Sequence, residues 1–374
     1  MGGSVRLVLR PKVRYARADD GAAIAYSQVG DGPITIVLVS PLTSHLEVVW
    51  EEPALEHLLT RLAACSRVVL FDRRGIGLSD RLPAAGDLPG LPRLAKDIAA
   101  VLDSCGTREA VLAGVTFGCQ LAVQFAADFP DRTQALVLVG GWAKLTRILG
   151  FDFEADPGQV GVWADYAARG WGTGAVLGAH ASTMDDSARY RDWAARVERN
   201  TCSPGMVAAL CRWAASLDVR PLLGGLRVPT LVIHRSGDRS VPVEHGRYLA
   251  EHISGATFAD LPGEAHTIFL GDQRPTLDAV VGFLDREVTG GALRALLRRA
   301  DRKNASAQGW DSLTPSEQEV ARLIAAGMTN QQVAARLGMS RHTVDGRLRR
   351  VFAKLGVNTR VEVTAEVARV RLTG

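Results

Sequence analysis

The stretch Gly114-Val115-Thr116-Phe117-Gly118 contains residues whose spacing is suited to chemistry on a carbonyl group. It lies where the apolar segment EAVLAGV, typical of a strand, meets FGCQLAVQFAADFP, typical of a helix. The pattern G-x-S-x-G at such a junction forms a sharp turn that lifts a serine above a sheet. Both glycines are present, where side chains would collide across the turn, but threonine replaces the serine. The sequence therefore predicts a turn that displays a secondary hydroxyl group.

A second group of functional side chains is cationic and lies near the C-terminus. Residues 310–374 hold ten basic against six acidic residues, and residues 290–309 hold five basic residues against Asp301. The net charge of the whole chain is +4, so residues 1–289 carry −4. A basic tail on an acidic body favours a polyanionic partner for the tail, although a solvated charged surface has the same composition.

Short apolar segments predict the strands that position the threonine turn. They are ITIVLVS (34–40), SRVVLFD (66–72), AVLAGV (110–115), ALVLVGG (135–141) and VPTLVIHR (228–235). Most are separated by helical segments, which favours a parallel sheet covered on both faces. Functional groups then collect outside the carboxyl ends of the strands.

Residues from about 145 to 220 interrupt the strand series with a helical pattern. This segment contains four of the seven tryptophans: Trp163, Trp171, Trp193 and Trp213. We interpret it as a cap over the carboxyl edge of the sheet. We expect most of these tryptophans to belong to the core and one or two to line a pocket.

The composition and length exclude several classes of protein. With 374 residues, the chain is long enough for two or three domains, and its 47% apolar and 22% charged content is that of a soluble globular protein. No apolar segment approaches the roughly 18 residues of a membrane helix, and the N-terminus lacks a convincing secretion signal or myristoylation pattern. Five cysteines without C-x-x-C spacing predict reduced thiols in a cytoplasmic protein, with no metal site.

The C-terminal segment predicts a small helical domain. Thr314-Pro315-Ser316-Glu317 combines a capping box with proline at the first helical position, and capping spacings recur at 329–332 and 359–362. The segment from Leu313 to Glu362 resembles the LuxR-type helix-turn-helix domain of bacterial transcription regulators, through L-T-P-x-E, G-x-[ST]-N, A-x-x-L-x-[MI]-S, T-V and K-L-G-V. The resemblance implies binding to double-stranded DNA.

We predict a positioning helix at 330–337 and a recognition helix at 341–354. The candidate DNA-binding residues are Arg341, Thr343, Asp345, Arg347, Arg349, Arg350 and Lys354. Arginine donates two hydrogen bonds to guanine or phosphate, and Asp345 would accept one from cytosine. Gly346 has no side chain for reading bases, so Arg349 is the best candidate for a base contact. The final helix, 360–371, resembles the one through which such domains dimerise, which implies a homodimer.

Residues 12–285 resemble the α/β-hydrolase fold, in the branch attached to bacterial regulators and cyclases. The likeness rests on FDRRGIGLSDR, on CSPGMVAALCRWAASLDVRPLLGGLRVPTLVIHRSGDRSVPVEHGRYLAEHI and on LPGEAHTIF. It implies an α/β protein: a largely parallel sheet with a helical cap, followed by an all-α helix-turn-helix domain. We predict a hydrolase-like domain at 1–289, a basic linker at 290–309 and a DNA-binding domain at 310–374.

The resemblance also implies a triad in the order nucleophile, acid, histidine. Thr116 occupies the first position, Asp238 would orient the histidine, and His266 would accept the proton of the nucleophile. The amide of Phe117 and one near Pro41 and Leu42 would bind an oxyanion. The predicted ligand-binding residues are Pro41, Leu42, Thr116, Phe117, Trp142 and His266.

The threonine leaves three functions open. A turn residue with positive φ disfavours a β-branched side chain, and the extra methyl group crowds attack. The first function is a regulator whose pocket senses a small molecule, apolar and bearing a carbonyl or ester-like group, with little or no turnover. The second is an active esterase or lactonase with a DNA-binding targeting domain, and the third is a constitutive DNA-binding protein. No cofactor is expected for any of these functions. If the chain is a regulator, RNA polymerase is a further candidate partner.

Overall fold

The computed structural model describes residues 10–181, 188–307, 310–355, 357 and 359–373. The chain divides into two compact units, one formed by Arg10–Arg294 and the other containing Ala295–Gly374. The division falls inside a single helix, α11 (Ala292–Ala307). The residues predicted as a linker, 290–309, therefore include a helix that begins in the first unit.

A mostly parallel sheet of eight strands forms the centre of the first unit, with the order β1-β2-β4-β3-β5-β6-β9-β10. The strands are β1 (Arg14–Arg17), β2 (Ala23–Val29), β3 (Thr35–Val39), β4 (Arg67–Phe71), β5 (Ala110–Val115), β6 (Thr133–Val139), β9 (Thr230–Arg235) and β10 (Thr257–Leu261). The six strands from β4 to β10 in this order are parallel, whereas β1 and β2 pair antiparallel at one edge. All five predicted strands are confirmed, and β1, β2 and β10 are additions to them.

Helices cover both faces of the sheet, as the apolar strands require. They are α1 (Pro53–Ala63), α2 (Leu91–Ser104), α3 (Gly118–Asp128), α9 (Glu244–His252) and α10 (Arg274–Leu284). Strand β5 is buried over five of its six residues, and helix α3 over nine of its eleven. The two elements that meet at this junction are therefore fixed in position by their packing.

The segment between β6 and β9 has the helical character that the sequence predicts. Its described residues form a short ribbon and five helices: β7 (Arg147–Ile148), β8 (Phe151–Asp152), α4 (Gln159–Gly170), α5 (Ala175–Gly178), α6 (Ala188–Thr201), α7 (Pro204–Ser216) and α8 (Arg220–Leu223). The buried carboxylate of Glu198 on α6 accepts hydrogen bonds from the amides of Gly172, Gly174, Val176 and Leu177, at 2.7–3.1 Å. One side chain thus holds the chain around α5 in place.

The second unit contains four further helices with a core of their own. They are α12 (Pro315–Ala325), α13 (Asn330–Leu337), α14 (Arg341–Leu355) and α15 (Arg360–Thr373). Capping boxes at Thr314 and Thr329 begin α12 and α13, as predicted. Gly338 ends α13 with φ 61°, a conformation that favours glycine. The predicted positioning and recognition helices are therefore present, the latter one residue longer than expected.

Candidate ligand pocket and nucleic-acid interface

Strand β5 and helix α3 meet in the tight turn that the glycine spacing predicts. Thr116 has φ 52°, and it is one of two non-glycine residues with positive φ among those described. A Cβ on Gly118 would collide with the carbonyl oxygen of Val39, and one on Gly114 would lie 2.7 Å from Cα of Cys119. The amide of Thr116 donates to the carbonyl of Val139 at 2.8 Å. The glycines thus allow a turn in which neighbouring strands hold Thr116 at the carboxyl edge of the sheet.

Asp238 and His266 form a buried pair at the same edge. Nδ1 of His266 lies 2.6 Å from Oδ2 of Asp238, while Oδ1 of Asp238 accepts from the amides of Ser240 and Val241. His234, which the sequence did not indicate, places Nε2 3.4 Å from Oδ2 of Asp238. Burial raises the pKa of Asp238, but hydrogen bonds from His234 and His266 outweigh burial and lower it below its usual range. Asp238 is thus an anion that orients His266 and would stabilise its protonated form.

A cavity of about 260 Å³ opens beside this turn. Its wall includes all six predicted ligand-binding residues, Pro41, Leu42, Thr116, Phe117, Trp142 and His266. The rest of the wall is mainly apolar, with contributions from α1, α10 and the segment between β6 and β9. Trp163, Trp171 and Trp193 also line it, which is more than the one or two tryptophans expected from that segment. The cavity is suited to an apolar molecule with a polar group at the Thr116 end.

His180 is a further polar group of the cavity wall that sequence reasoning missed. Its ring centroid lies 5.3 Å from that of His266, and its carbonyl oxygen accepts from the amides of His266 and Thr267. Burial, with a smaller effect of nearby His266, lowers the pKa of His180 to about 3. His180 is therefore a neutral imidazole that ties the segment between β6 and β9 to the loop carrying His266.

Two amides are available for an oxyanion at the Thr116 end of the cavity. Among the described residues, the amides of Leu42 and Phe117 have no hydrogen-bond acceptor. Both residues line the cavity with Thr116, and Phe117 immediately precedes helix α3. Free amides at a helix N-terminus attract negative charge. The arrangement can bind a carbonyl oxygen or an anion.

Helix α14 presents cationic side chains on a surface opposite its buried face. Val344, Leu348 and Val351 face the core of the second unit. The side chains of Arg341, Thr343 and Arg349 are exposed, although the hydroxyl of Thr343 lies 2.8 Å from that of Ser340. These positions remain predicted DNA contacts.

Four of the predicted DNA-binding residues have side-chain partners on α12 or α13. Asp345 accepts a hydrogen bond from Asn330 at 2.5 Å, and Arg347 donates to Ser316. Arg350 and Lys354 form ion pairs with Glu317 at 3.3 and 2.6 Å. Sequence spacing placed these residues on the recognition helix, but it did not indicate their partners, which come from α12 and α13.

Glu317 is the buried centre of that network. Burial raises its pKa, but the hydrogen bonds from Lys354 and Thr314 outweigh burial and bring it to about 2. One carboxylate thereby joins the capping box of α12 to the end of α14. Arg350 and Lys354 have a structural role whether or not they also contact DNA.

Several other features bear on cofactors, disulfides and membranes. The described residues contain no group of three or more His, Cys, Asp or Glu arranged to hold a metal ion. The five cysteines all lie in the described ranges and form no disulfide. None of the described helices is both long and apolar enough to cross a membrane.

Comparison with known proteins agrees with the geometry of both units. The family described as alpha/beta hydrolase fold matches residues 35–273, and the family of bacterial regulatory proteins, luxR family, matches residues 311–367. An esterase from Exiguobacterium antarcticum superposes with a TM-score of 0.62 at 19% identity, covering 73% of this chain and all of that one. At this identity the likeness shows the fold alone.

Two sequence relatives match different parts of the chain. A Caulobacter protein assigned as the carbamate hydrolase RutD is 26% identical over 276 residues, which are 70% of this chain and 96% of that protein. A protein of Mycobacterium tuberculosis assigned as an HTH-type transcriptional regulator is 46% identical over 71 residues, 19% of this chain. That match spans only 8% of the regulator's length. The chain belongs to the α/β-hydrolase fold family and carries a LuxR-family DNA-binding domain at its C-terminal end.

Proposed function

We propose that the chain is a ligand-responsive transcription regulator whose hydrolase-like pocket senses a small molecule with little or no turnover. The observation that carries the proposal is Thr116, at φ 52° in the turn where this fold displays a serine nucleophile, beside an intact Asp238–His266 pair. The same chain carries a LuxR-family domain. A sensor benefits from binding without hydrolysis, because hydrolysis would erase the signal.

The chemistry of threonine supports slow or absent turnover. Its hydroxyl is secondary, its methyl group crowds an approaching carbonyl, and its backbone conformation is strained for a β-branched residue. Well-known threonine nucleophiles use an N-terminal amine as base. The amides of Leu42 and Phe117 and the Asp238–His266 pair are nevertheless present, so the pocket still offers hydrogen bonds to a ligand.

The second candidate function is an active esterase or lactonase with a DNA-binding targeting domain. It is favoured by the 2.6 Å hydrogen bond between His266 and Asp238, since a pocket that only binds has no need of an oriented base. Its relatives include proteins assigned as hydrolases. Turnover by the purified protein separates the two candidates.

The test compares hydrolysis of p-nitrophenyl esters by the native chain, Thr116→Ser and Thr116→Ala. We expect the native chain and Thr116→Ala to be equally inactive, and Thr116→Ser to gain slow hydrolysis, because His266 would then activate a primary hydroxyl. Native turnover at ordinary enzyme rates of about 1–1000 per second, abolished in Thr116→Ala, would establish the esterase instead.

We propose a cytoplasmic homodimer in which α14 enters the major groove of double-stranded DNA and α15 contributes to the dimer contact, with RNA polymerase as a further partner. It is supported by the LuxR-family match and by the exposed Arg341 and Arg349 of α14. Ligand-induced thermal stabilisation separates this sensor from a constitutive DNA-binding protein.

A further inference from the structure

Arg73 is a buried cation directly behind the polar end of the cavity. It follows β4 at the carboxyl edge of the sheet, next to the end of β3, and it is 2% exposed. Its Nη2 donates to the carbonyl oxygens of Pro41 at 3.1 Å and Leu42 at 2.8 Å. Its Cζ lies 4.7 Å from the ring centroid of Phe117. Arg73 therefore contacts both residues whose amides have no acceptor among the described residues.

The charge of Arg73 has no carboxylate within ion-pair distance in the described part of the chain, and its Nε has no hydrogen-bond partner there. The next residue differs: Arg74 forms a two-pronged ion pair with Asp97, at 2.6 and 2.7 Å. Asp72 turns its Oδ2 toward the amides of Leu46 and Leu78. Burial lowers the pKa of Arg73 to about 10, which leaves it protonated at neutral pH.

Asp72 acts on this charge from beyond ion-pair distance. A buried charge without a direct ion pair is costly, and its field acts through a medium of low dielectric constant. Here that field adds to the free amides of Leu42 and Phe117 and to the N-terminus of α3. Each of these groups stabilises a negatively charged ligand group at the Thr116 end more than it stabilises a neutral ester.

We infer that Arg73 is a positioning residue for the 41–42 loop and that the pocket selects an apolar carboxylate, with the carboxylate at Thr116 and the apolar part in the cavity. This inference rests on the proposed function and narrows its ligand to the acid. A carboxylate is the product of ester hydrolysis. It has no leaving group, so a hydroxyl nucleophile cannot displace anything from it. The class of reaction that supplies such a ligand is the hydrolysis of an ester, thioester or lactone elsewhere.

The test is displacement of a neutral fluorescent probe, N-phenyl-1-naphthylamine, from the full chain by octanoate and by methyl octanoate. The two competitors share the carbonyl group and the alkyl chain and differ in charge. We expect octanoate to displace the probe at a concentration at least about tenfold lower than methyl octanoate, a factor that corresponds to about 1.4 kcal/mol. Arg73→Lys should keep the preference, whereas Arg73→Gln should lose it.

A matched control is Arg132→Gln. Arg132 also donates to two backbone carbonyls, those of Thr107 and Arg108, but it lies next to β6 at the amino-terminal edge of the sheet. The Arg132→Gln substitution should leave the preference for octanoate over methyl octanoate unchanged. Equal displacement by acid and ester, an unchanged preference in Arg73→Gln, or no displacement by either compound would overturn the inference. The measurement needs no DNA. Failure of the carboxylate preference can therefore be distinguished from failure of ligand-dependent DNA binding.

Discussion

Thr116 is the residue at which the turn departs from the G-x-S-x-G pattern. The glycines, the strand and the helix around it are those of a displayed nucleophile, and only the displayed group differs. The residue was identifiable from its spacing alone. The roles of three neighbouring residues were not: Arg73, His180 and His234 lie 43–118 residues from Thr116 in sequence, and the segments that contain them do not indicate what they contact.

At the same scale, the recognition helix allows two kinds of DNA contact to be separated. Arg349→Ala should weaken specific binding by about 1–3 kcal/mol and relax preference at one base position, as loss of a bidentate base contact does. Arg341→Ala should weaken binding to all sequences and lower the salt slope by about 1, as loss of a phosphate contact does. Fluorescence anisotropy with selected and random duplexes at several salt concentrations distinguishes the two.

The control for this pair is Arg322→Ala. Arg322 lies on α12 with its guanidinium over the ring of Trp310, and it is not a predicted contact. The Arg322→Ala variant should bind the selected and the random duplexes as the native chain does. A sequence-independent loss in Arg349→Ala would show that Arg349 contacts only phosphate.

Glu317 gives a prediction about pH. Because its pKa in the folded protein, about 2, is below its ordinary 4.5, its contribution to stability is present above about pH 4.5 and is lost as the pH falls toward 2. Glu317→Gln should lower the free energy of unfolding of the C-terminal unit by about 2 kcal/mol at neutral pH. Denaturant unfolding at several pH values should show this difference shrinking between pH 5 and 3.

Glu319→Gln is the matched control, since Glu319 is exposed on the same helix. It should change stability little at any of these pH values. A deficit of Glu317→Gln that stays constant down to pH 3 would mean that the carboxylate of Glu317 is not held ionised by Lys354 and Thr314.

At the scale of elements, the backbone around α5 is held by the single carboxylate of Glu198. Glu198→Gln replaces the oxygen that accepts from the amides of Gly172 and Gly174 by a donor. The substitution should lower the free energy of unfolding by about 3 kcal/mol. Because Val176 and Leu177 line the cavity, affinity for N-phenyl-1-naphthylamine should fall as well. Denaturant unfolding and probe fluorescence measure the two effects.

Glu154→Gln, an exposed change in the same segment, should leave both quantities unaltered. Loss of stability without loss of probe affinity in Glu198→Gln would show that the loop around α5 does not shape the cavity.

The elements also show which parts of the fold a sequence can predict. Strands β3 to β6 and β9 are continuous apolar segments, because both of their faces are buried, and each was predicted. Strand β1 has the pattern exposed-exposed-buried-exposed, and β10 is exposed or half-buried throughout. Such edge strands carry little apolar signal, and their pairing comes from tertiary structure.

At the scale of the whole molecule, a pocketed unit and a DNA-binding unit share one chain and one continuous helix, α11. A ligand changes DNA affinity only if it binds two arrangements of the protein with different affinity. We expect the segment between β6 and β9 to move, because it contributes His180 and three tryptophans to the cavity wall. Coupling of this kind is typically worth about 1–3 kcal/mol.

The most direct test of the account is the affinity for operator DNA with the pocket empty and filled. The small molecule that copurifies with the chain would be identified by mass spectrometry, removed and added back, and the operator would be selected from random DNA by the full chain. We predict a change in affinity of about 5–150-fold, the same factor for ligand binding when operator is present, and recovery of the ligand intact. Tight ligand binding with identical operator affinity, or a hydrolysed ligand, would contradict it.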